Sequence, residues 1–219
     1  VNIEYKSQKS KVKSVKLTNV PSYLAETELS VVCPDLGELV VDVSYGGNFY
    51  AIVDVQKNFA GLEHYTADKL ISWARVLRKN INAKYEFVHP ENETIKGCSH
   101  ILWTGAELPA RAGTDEDKTS TARNAVFYGD KASDRSPCGT VTSARMAQWY
   151  AKGKLKKGDE FIHESIIGSK FTGRIEEELT VSGKPAIKPS IEGWARIYGH
   201  NIITIDTDDD PYAFGFQVM

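Results

Sequence analysis

Two runs of strict alternation dominate the amino-terminal half of the chain. Leu39, Val41, Val43 and Tyr45 alternate with Glu38, Val40, Asp42 and Ser44, and Phe49, Ala51, Val53 and Val55 share one side of the run from Asn48 to Val55. A period of two marks strands, and the Gly46-Gly47 pair between the runs predicts a hairpin whose tight turn needs positive φ. An earlier strand is predicted over Lys11 to Leu17, with Val15 and Leu17 on one face and solvated lysines opposite, ended by Pro21. From Thr66 to Lys79 the period becomes helical: Leu70, Ile71, Ala74, Leu77 and Ile81 form one stripe, with Thr66 as N-cap. A second helix is predicted from Thr140 to Lys152, packed through Ala144, Ala147 and Trp149 to Ala151, with Gly153 as its stop. Tyr85 to Val88, His100 to Trp103 and Ala125 to Tyr128 read as strands, and Glu107 to Thr121 as an exposed polar loop carrying Ala110, Gly113, Asp115 and Asp117. Phe161 to Met219 reads mostly as strands punctuated by glycines. Much strand, two helices and no βαβ rhythm give an α+β class.

Composition narrows the function classes. With 219 residues, 41% of them hydrophobic and 26% charged, the chain suits a globular core and not a disordered or fibrous one. A net charge of −2 offers no handle on nucleic acid or an anionic membrane. No apolar run approaches the roughly 18 residues needed to span a bilayer. Val1 to Lys6 is too polar for a signal peptide, and the missing initiator Met leads us to expect a start inside a longer gene product. Cys33, Cys98 and Cys138 form no CxxC pair, so neither a disulfide framework nor zinc is expected; three sparse thiols fit a reducing compartment, by default the cytoplasm. The acidic run Asp206 to Asp210 lacks the Gly and Glu of a calcium loop, so no metal is expected. Gly46-Gly47 has no phosphate-loop ending, and the scattered aromatic residues have no interleaved basic patch.

The segment from Asp134 to Arg145, Asp-Arg-Ser-Pro-Cys-Gly-Thr-Val-Thr-Ser-Ala-Arg, carries the strongest chemical signal. It sets a thiol between a rigid Pro and a permissive Gly, just before a helix start. Unpaired N–H groups and the positive dipole end favour the thiolate there, and can also dock a carboxylate. A random intracellular cysteine is more often inert packing, but this context favours chemistry at Cys138. Taken alone, Asp134 is better read as a turn cap and His100 as a satisfied half-buried imidazole.

These residues resemble the second catalytic cysteine motif of the proline racemase family, and the resemblance runs along the chain. Asn19-Val20-Pro21-Ser22-Tyr23, Tyr45-Gly46-Gly47-Asn48-Phe49-Tyr50-Ala51, Glu164-Ser165-Ile166-Ile167-Gly168-Ser169 with Phe171 and Gly173, and Ile205-Asp206 with Asp210-Pro211-Tyr212 and Gly215-Phe216 resemble further family blocks in order. The hydroxyproline epimerases are its nearest members.

The resemblance implies a diaminopimelate-epimerase-like fold: a curled mixed sheet around a central helix, here one complete lobe plus part of the other. Residues 1–37 would be a remnant of the first lobe, 38–205 the second lobe carrying Cys138, and 206–219 a stretch returning toward the first. It implies a cofactor-independent racemase or epimerase of hydroxyproline or proline, in which two cysteines exchange the Cα proton across opposite faces. Cys138 would be one of the pair, Gly139 and Thr140 N–H groups would hold the substrate carboxylate, and Asp134 and His100 would contact the ring ammonium. The partner would be this small molecule, with neither nucleic acid nor membrane, and the family leaves room for a homodimer.

Two departures stand out. The family's first cysteine motif, Met-Cys-Gly-His-Gly, is absent, and neither Cys33 nor Cys98 has such surroundings, so a fragment is expected. Val141 stands at a usual glycine, where a β-branched side chain can crowd the carboxylate cradle. A non-catalytic amino-acid-binding lobe is the alternative; a 3-hydroxyproline dehydratase would carry Thr in place of Cys138.

Overall fold

Strands that are apolar on both faces have to be covered on both, and here a sheet closes on itself around one helix while a second helix covers its outside. The computed structural model describes residues 2–105, 107, 119–194 and 199–215, without the side chains of 119–121. In chain order the elements are β1 (Asn2–Gln8), β2 (Lys11–Thr18), β3 (Ser22–Cys33), β4 (Gly37–Tyr45), β5 (Phe49–Val53), α1 (Ala67–Lys84), β6 (Val88–His89), β7 (Asn92–Lys96) and β8 (Cys98–Thr104). There follow β9 (Thr119–Tyr128), β10 (Ala132–Ser133), α2 (Gly139–Ala151), β11 (Glu160–Ser165), β12 (Lys170–Val181) and β13 (Lys184–Gly193). Eight strands form a ring in the order β13, β12, β11, β9, β8, β5, β4, β3, closed by pairing of β3 with β13. The β5–β8 and β9–β11 pairs are parallel and the other ring pairs antiparallel, so the sheet is mixed.

The two helices divide the two faces. On β5, Phe49, Ala51 and Val53 join Ile101, Trp103, Ala125 and Phe127 in a cluster with Leu70, Trp73, Ala74, Leu77 and Ile81 of α1. The intervening Tyr50 and Ile52 join Leu102 and Val126 against Val141 and Ala144 of α2. Helix α1 is amphipathic and lies outside. Helix α2 is buried without interruption from Val141 to Trp149 and packs against β3, β4, β5, β12 and β13, which places it in the lumen. Its polar residues are paired: Arg145, only 2% exposed, meets Asp54 at 2.6 Å and lies over the Trp149 ring, and Gln148 donates to Asp54 at 3.0 Å. Because Thr140 lies beside Tyr50 and Gln148 beside Asp54, α2 runs in the same direction as β5.

The glycine pair sets the distance between sheet and helix. Gly47 has φ 116° and turns the β4–β5 hairpin. Gly46 is needed for a different reason: a Cβ there would overlap the Thr140 carbonyl oxygen and lie 2.6 Å from the Ala144 nitrogen. Asn19 fixes the same junction, donating to the Gly46 carbonyl at 3.0 Å and to Ser143 Oγ at 2.9 Å.

Several expectations need correction. Helix α1 continues to Lys84, carrying Ile81 on its stripe, so Tyr85 caps a helix and the strand there is only Val88–His89. Ala151 is exposed, outside the packed face of α2. The described part of the expected loop at 107–121 is Glu107 plus the start of β9; Ala110, Gly113, Asp115 and Asp117 lie outside the described residues. Residues 199–215 form no strand; turns stand at 207–209 and 211–214, and at the first of them the Asp206 carboxylate accepts from the Asp208 and Asp209 backbone nitrogens and competes with any ladder. The long strand β3 has no clean alternation, since its pairing with β4 slips around Glu26 and Glu28 sits at φ 55°.

Two predictions follow from this packing. Gly46→Ala should destabilise by about 3 kcal/mol, because its clash is with backbone that cannot swing away, lowering Tm by roughly 5–10 °C in a thermal melt. The second concerns Glu192 on β13, which anchors the β1–β2 hairpin by accepting from Ser14 Oγ at 2.7 Å, Lys6 at 2.9 Å and Arg174 at 2.9 Å. Those donors, Ser14 foremost, outweigh partial burial and hold its carboxyl at about 2, below the usual 4.5. A depressed carboxyl stabilises the fold fully above its unfolded value, and the contribution disappears as pH falls from about 4.5 toward 2. Amide hydrogen exchange in β1 and β2, taken relative to each amide's intrinsic rate, should therefore accelerate as pH falls through that window in the wild type. In Glu192→Gln it should start faster and change less.

Candidate active site

The site is built at the amino end of α2, where the chain enters the barrel. Cys138 is the N-cap and holds φ 60°, ψ 123°, a region that costs a β-carbon-bearing residue about 1–3 kcal/mol. Hydrogen bonds hold the strained elbow from both sides. Its carbonyl accepts from Thr142 N at 2.9 Å and Thr142 Oγ1 at 2.8 Å, and its N–H donates to Ser136 Oγ at 3.1 Å. Asp134 Oδ1 accepts from Ser136 N at 2.9 Å and Ser136 Oγ at 3.0 Å. The turn-cap role of Asp134 is therefore real.

Beneath the elbow lies a buried polar set that sequence reasoning missed. Asn124 of β9 donates to the Pro137 carbonyl at 3.1 Å and reaches the His163 ring of β11, while Thr142 Oγ1 lies 3.0 Å from His163 Nδ1. Full burial, with Arg145 nearby, pushes His163 well below the ordinary imidazole range, so it stays neutral at physiological pH. Ser169 of the Glu164–Gly173 block donates to the Arg135 carbonyl at 2.9 Å. This block and the Asp134–Arg145 segment thus converge on one turn.

Cys138 itself is half-buried, with Sγ 3.4 Å from Thr140 Oγ1, and Thr140 Oγ1 lies 2.6 Å from the Tyr50 hydroxyl. The Gly139 and Thr140 N–H groups belong to the first helical turn and have no intrahelical partner. A Cβ on Gly139 would meet only open space. Val141, expected to crowd this cradle, is fully buried among Tyr50, Ile52, Leu102 and Val126, pointing into the barrel.

His100 on β8 pairs in register with Tyr50, its ring centroid 4.9 Å from the Tyr50 ring, and Ser99 Oγ lies 2.5 Å from its Nδ1. Burial foremost, then Arg78, lowers its pKa against an opposing pull from Asp134, which favours the neutral ring. The structure accordingly groups Cys138, Gly139 and Thr140 at the helix start, with Asp134 on the entering turn and His100 on the adjoining strands. The β5 alternation marks Phe49, Ala51 and Val53 as the core face, and the opposite face, which carries Tyr50, looks at the helix.

The other thiols differ sharply. Cys33 and Cys98 lie in strands at 1% and 2% exposure, and burial pushes each up to about 12. Among the described residues no three His, Cys, Asp or Glu side chains cluster as a metal site, and no helix is long and apolar enough to cross a membrane.

Comparison with known proteins places the chain among its relatives. The chain is 64% identical over 219 residues to a 4-hydroxyproline 2-epimerase of Spirosoma linguale and 59% identical over 218 residues to one of Brucella suis biovar 1. Each match covers 100% of this chain and 63% of the relative, so the chain spans under two thirds of these relatives' length. Among solved structures, a hydroxyproline epimerase from Agrobacterium vitis with bound trans-4-hydroxy-L-proline superposes with TM-score 0.80 at 32% identity, covering 98% of this chain and 58% of that one. A probable proline racemase from Agrobacterium radiobacter K84, with bound carbonate, gives TM-score 0.79 at 33% identity, covering 99% of this chain and 60% of that one. A proline racemase family profile matches residues 1–217, and with relatives this similar along its whole length the chain belongs to the proline racemase family.

Proposed function

We propose that this chain supplies one of the two proton-transfer faces of a 4-hydroxyproline 2-epimerase, interconverting trans-4-hydroxy-L-proline and cis-4-hydroxy-D-proline. The observation that carries the reading is a half-buried thiol on a strained elbow at the start of a buried helix, in a chain 64% identical to such an epimerase. In this reading the Cys138 thiolate removes the Cα proton from one face, and a thiol on the opposite face delivers a proton. The electron pair left at Cα delocalises into the substrate carboxylate. Donors fixed at the Gly139 and Thr140 N–H groups stabilise the charge that develops there, and need not reorganise as it forms. No step calls on a cofactor.

Asp134 serves twice in this scheme. Its Oδ1 holds Ser136, and its other carboxylate oxygen is left for the ring ammonium, with neutral His100 alongside. The opposite thiol is neither Cys33 nor Cys98, since both are buried in strands and pushed up to about 12. We assign it to the part of the relatives' length that this chain does not span. Three unpaired thiols suit the reducing cytoplasm, where we place the protein.

Proton NMR of trans-4-hydroxy-L-proline in D₂O with the full-length protein tests the reading. The Cα proton signal should disappear and the cis-D epimer appear, with L-proline exchanging more slowly. Cys138→Ser should lower exchange by about 10²–10⁴-fold while the thermal melt is retained. Undiminished exchange in that variant would remove Cys138 from the mechanism.

A further inference from the structure

Tyr50 has no part in the proton transfer just described, yet its hydroxyl lies on a chain of contacts that begins at the reactive sulfur, and Asn48 and Cys138 itself also act on it. Sγ of Cys138 lies 3.4 Å from Thr140 Oγ1, and Thr140 Oγ1 lies 2.6 Å from the Tyr50 hydroxyl. The phenol is 1% exposed, on the lumen face of β5 beside the first turn of α2. Phe would fill the same volume in this apolar cluster, so packing alone does not call for the hydroxyl.

We propose that Tyr50 is a positioning residue for Cys138, acting through Thr140 as a hydrogen-bond relay whose direction reverses with the state of the sulfur. The inference rests on the reading that Cys138 alternates between thiolate and thiol. Each hydroxyl has one proton and can accept as well as donate. Facing a thiolate, Tyr50 O–H donates to Thr140 Oγ1 and Thr140 O–H donates to Sγ. Facing a thiol, S–H donates to Thr140 Oγ1 and the Thr140 proton turns toward the Tyr50 oxygen. Only hydroxyl rotors move, and no proton leaves its oxygen. Epimerisation in both directions needs a partner that serves each state of the cysteine, which a fixed cation would not do.

Burial, then the nearby Cys138 charge, raises the Tyr50 phenol above its ordinary range, so it keeps its proton at working pH. Other ionisable groups around the elbow stand on separate elements: Asp134 on the entering turn, His100 on β8, His163 on β11 and Arg145 within α2. None of them hydrogen-bonds the Tyr50 hydroxyl, whose partners are Thr140, Asn48 and Cys138.

The test is the pH dependence of iodoacetamide alkylation at Cys138 in the full-length protein, read on the tryptic peptide 136–145. Tyr50→Phe should slow alkylation at neutral pH by about tenfold and displace the rate profile to higher pH. In a Thr140→Val background the same substitution should slow alkylation distinctly less, because the relay is gone and only the phenol's direct reach to Cys138 remains. The double variant replaces both hydroxyls by apolar groups of like shape, which keeps the fold. A Tyr50→Phe profile superimposed on the wild type, or an equal slowing in the Thr140→Val background, would overturn the relay. Measuring Cα exchange on the same proteins separates the two ideas. An alkylation response without any exchange in the wild type sinks the epimerase reading and leaves the relay standing.

Discussion

Enclosing α2 is the constraint from which the rest of the structure follows. A helix buried from Val141 to Trp149 offers no face to water, so strands have to surround it, and the sheet closes when β3 meets β13. Such a helix tolerates close neighbours only if side chains step aside. Gly46 lets the β4–β5 hairpin lie directly on the helix backbone, and Asn19 ties that hairpin to Ser143. At its amino end the helix emerges at the elbow, where its unpaired N–H groups are the natural seat for an anion. The lumen that stabilises the fold and the turn that carries Cys138 are two ends of one element.

The same enclosure separates the three thiols. Cys33 and Cys98 lie on strands, deep in apolar surroundings where a thiolate is disfavoured. Cys138 is carried to the mouth by a backbone conformation that costs energy and survives because Ser136, Thr142, Asn124 and His163 hold it from several sides. That bracing explains why distant segments of the chain are needed to hold one turn. Asn19, Gly46, Ser169 and the Asp134–Arg145 segment are scattered in sequence and adjacent around the helix start.

What could be read from the sequence divides along physical lines. Local periodicity was enough for the β4–β5 hairpin, for α1 with its Thr66 cap, and for α2 with Gly153 beyond its end. It failed at β3, whose pairing slips around Glu26, and at residues 199–215, where aspartates bond their own backbone. The Pro-Cys-Gly-Thr segment marked Cys138, because a helix start declares itself locally. Tyr50, Asn124 and His163 carried no such mark. Each sits on a strand among ordinary alternating residues, and its importance depends on which face meets α2, a question of sheet closure that no local pattern contains. Gly46 and Gly47 divide in the same way: a turn accounts for Gly47, but only tertiary contact accounts for its neighbour.

The central claim is that the fold presents Cys138 alone of the three cysteines of this chain, at a place where the amino acid docks. Peptide-resolved iodoacetamide labelling of the native protein at neutral pH, with and without trans-4-hydroxy-L-proline, tests both halves together. The account predicts that Cys138 labels while Cys33 and Cys98 stay unmodified until the protein is denatured, and that the amino acid slows the Cys138 reaction. Labelling of Cys33 or Cys98 at a comparable rate, or a Cys138 rate indifferent to saturating hydroxyproline, would contradict it.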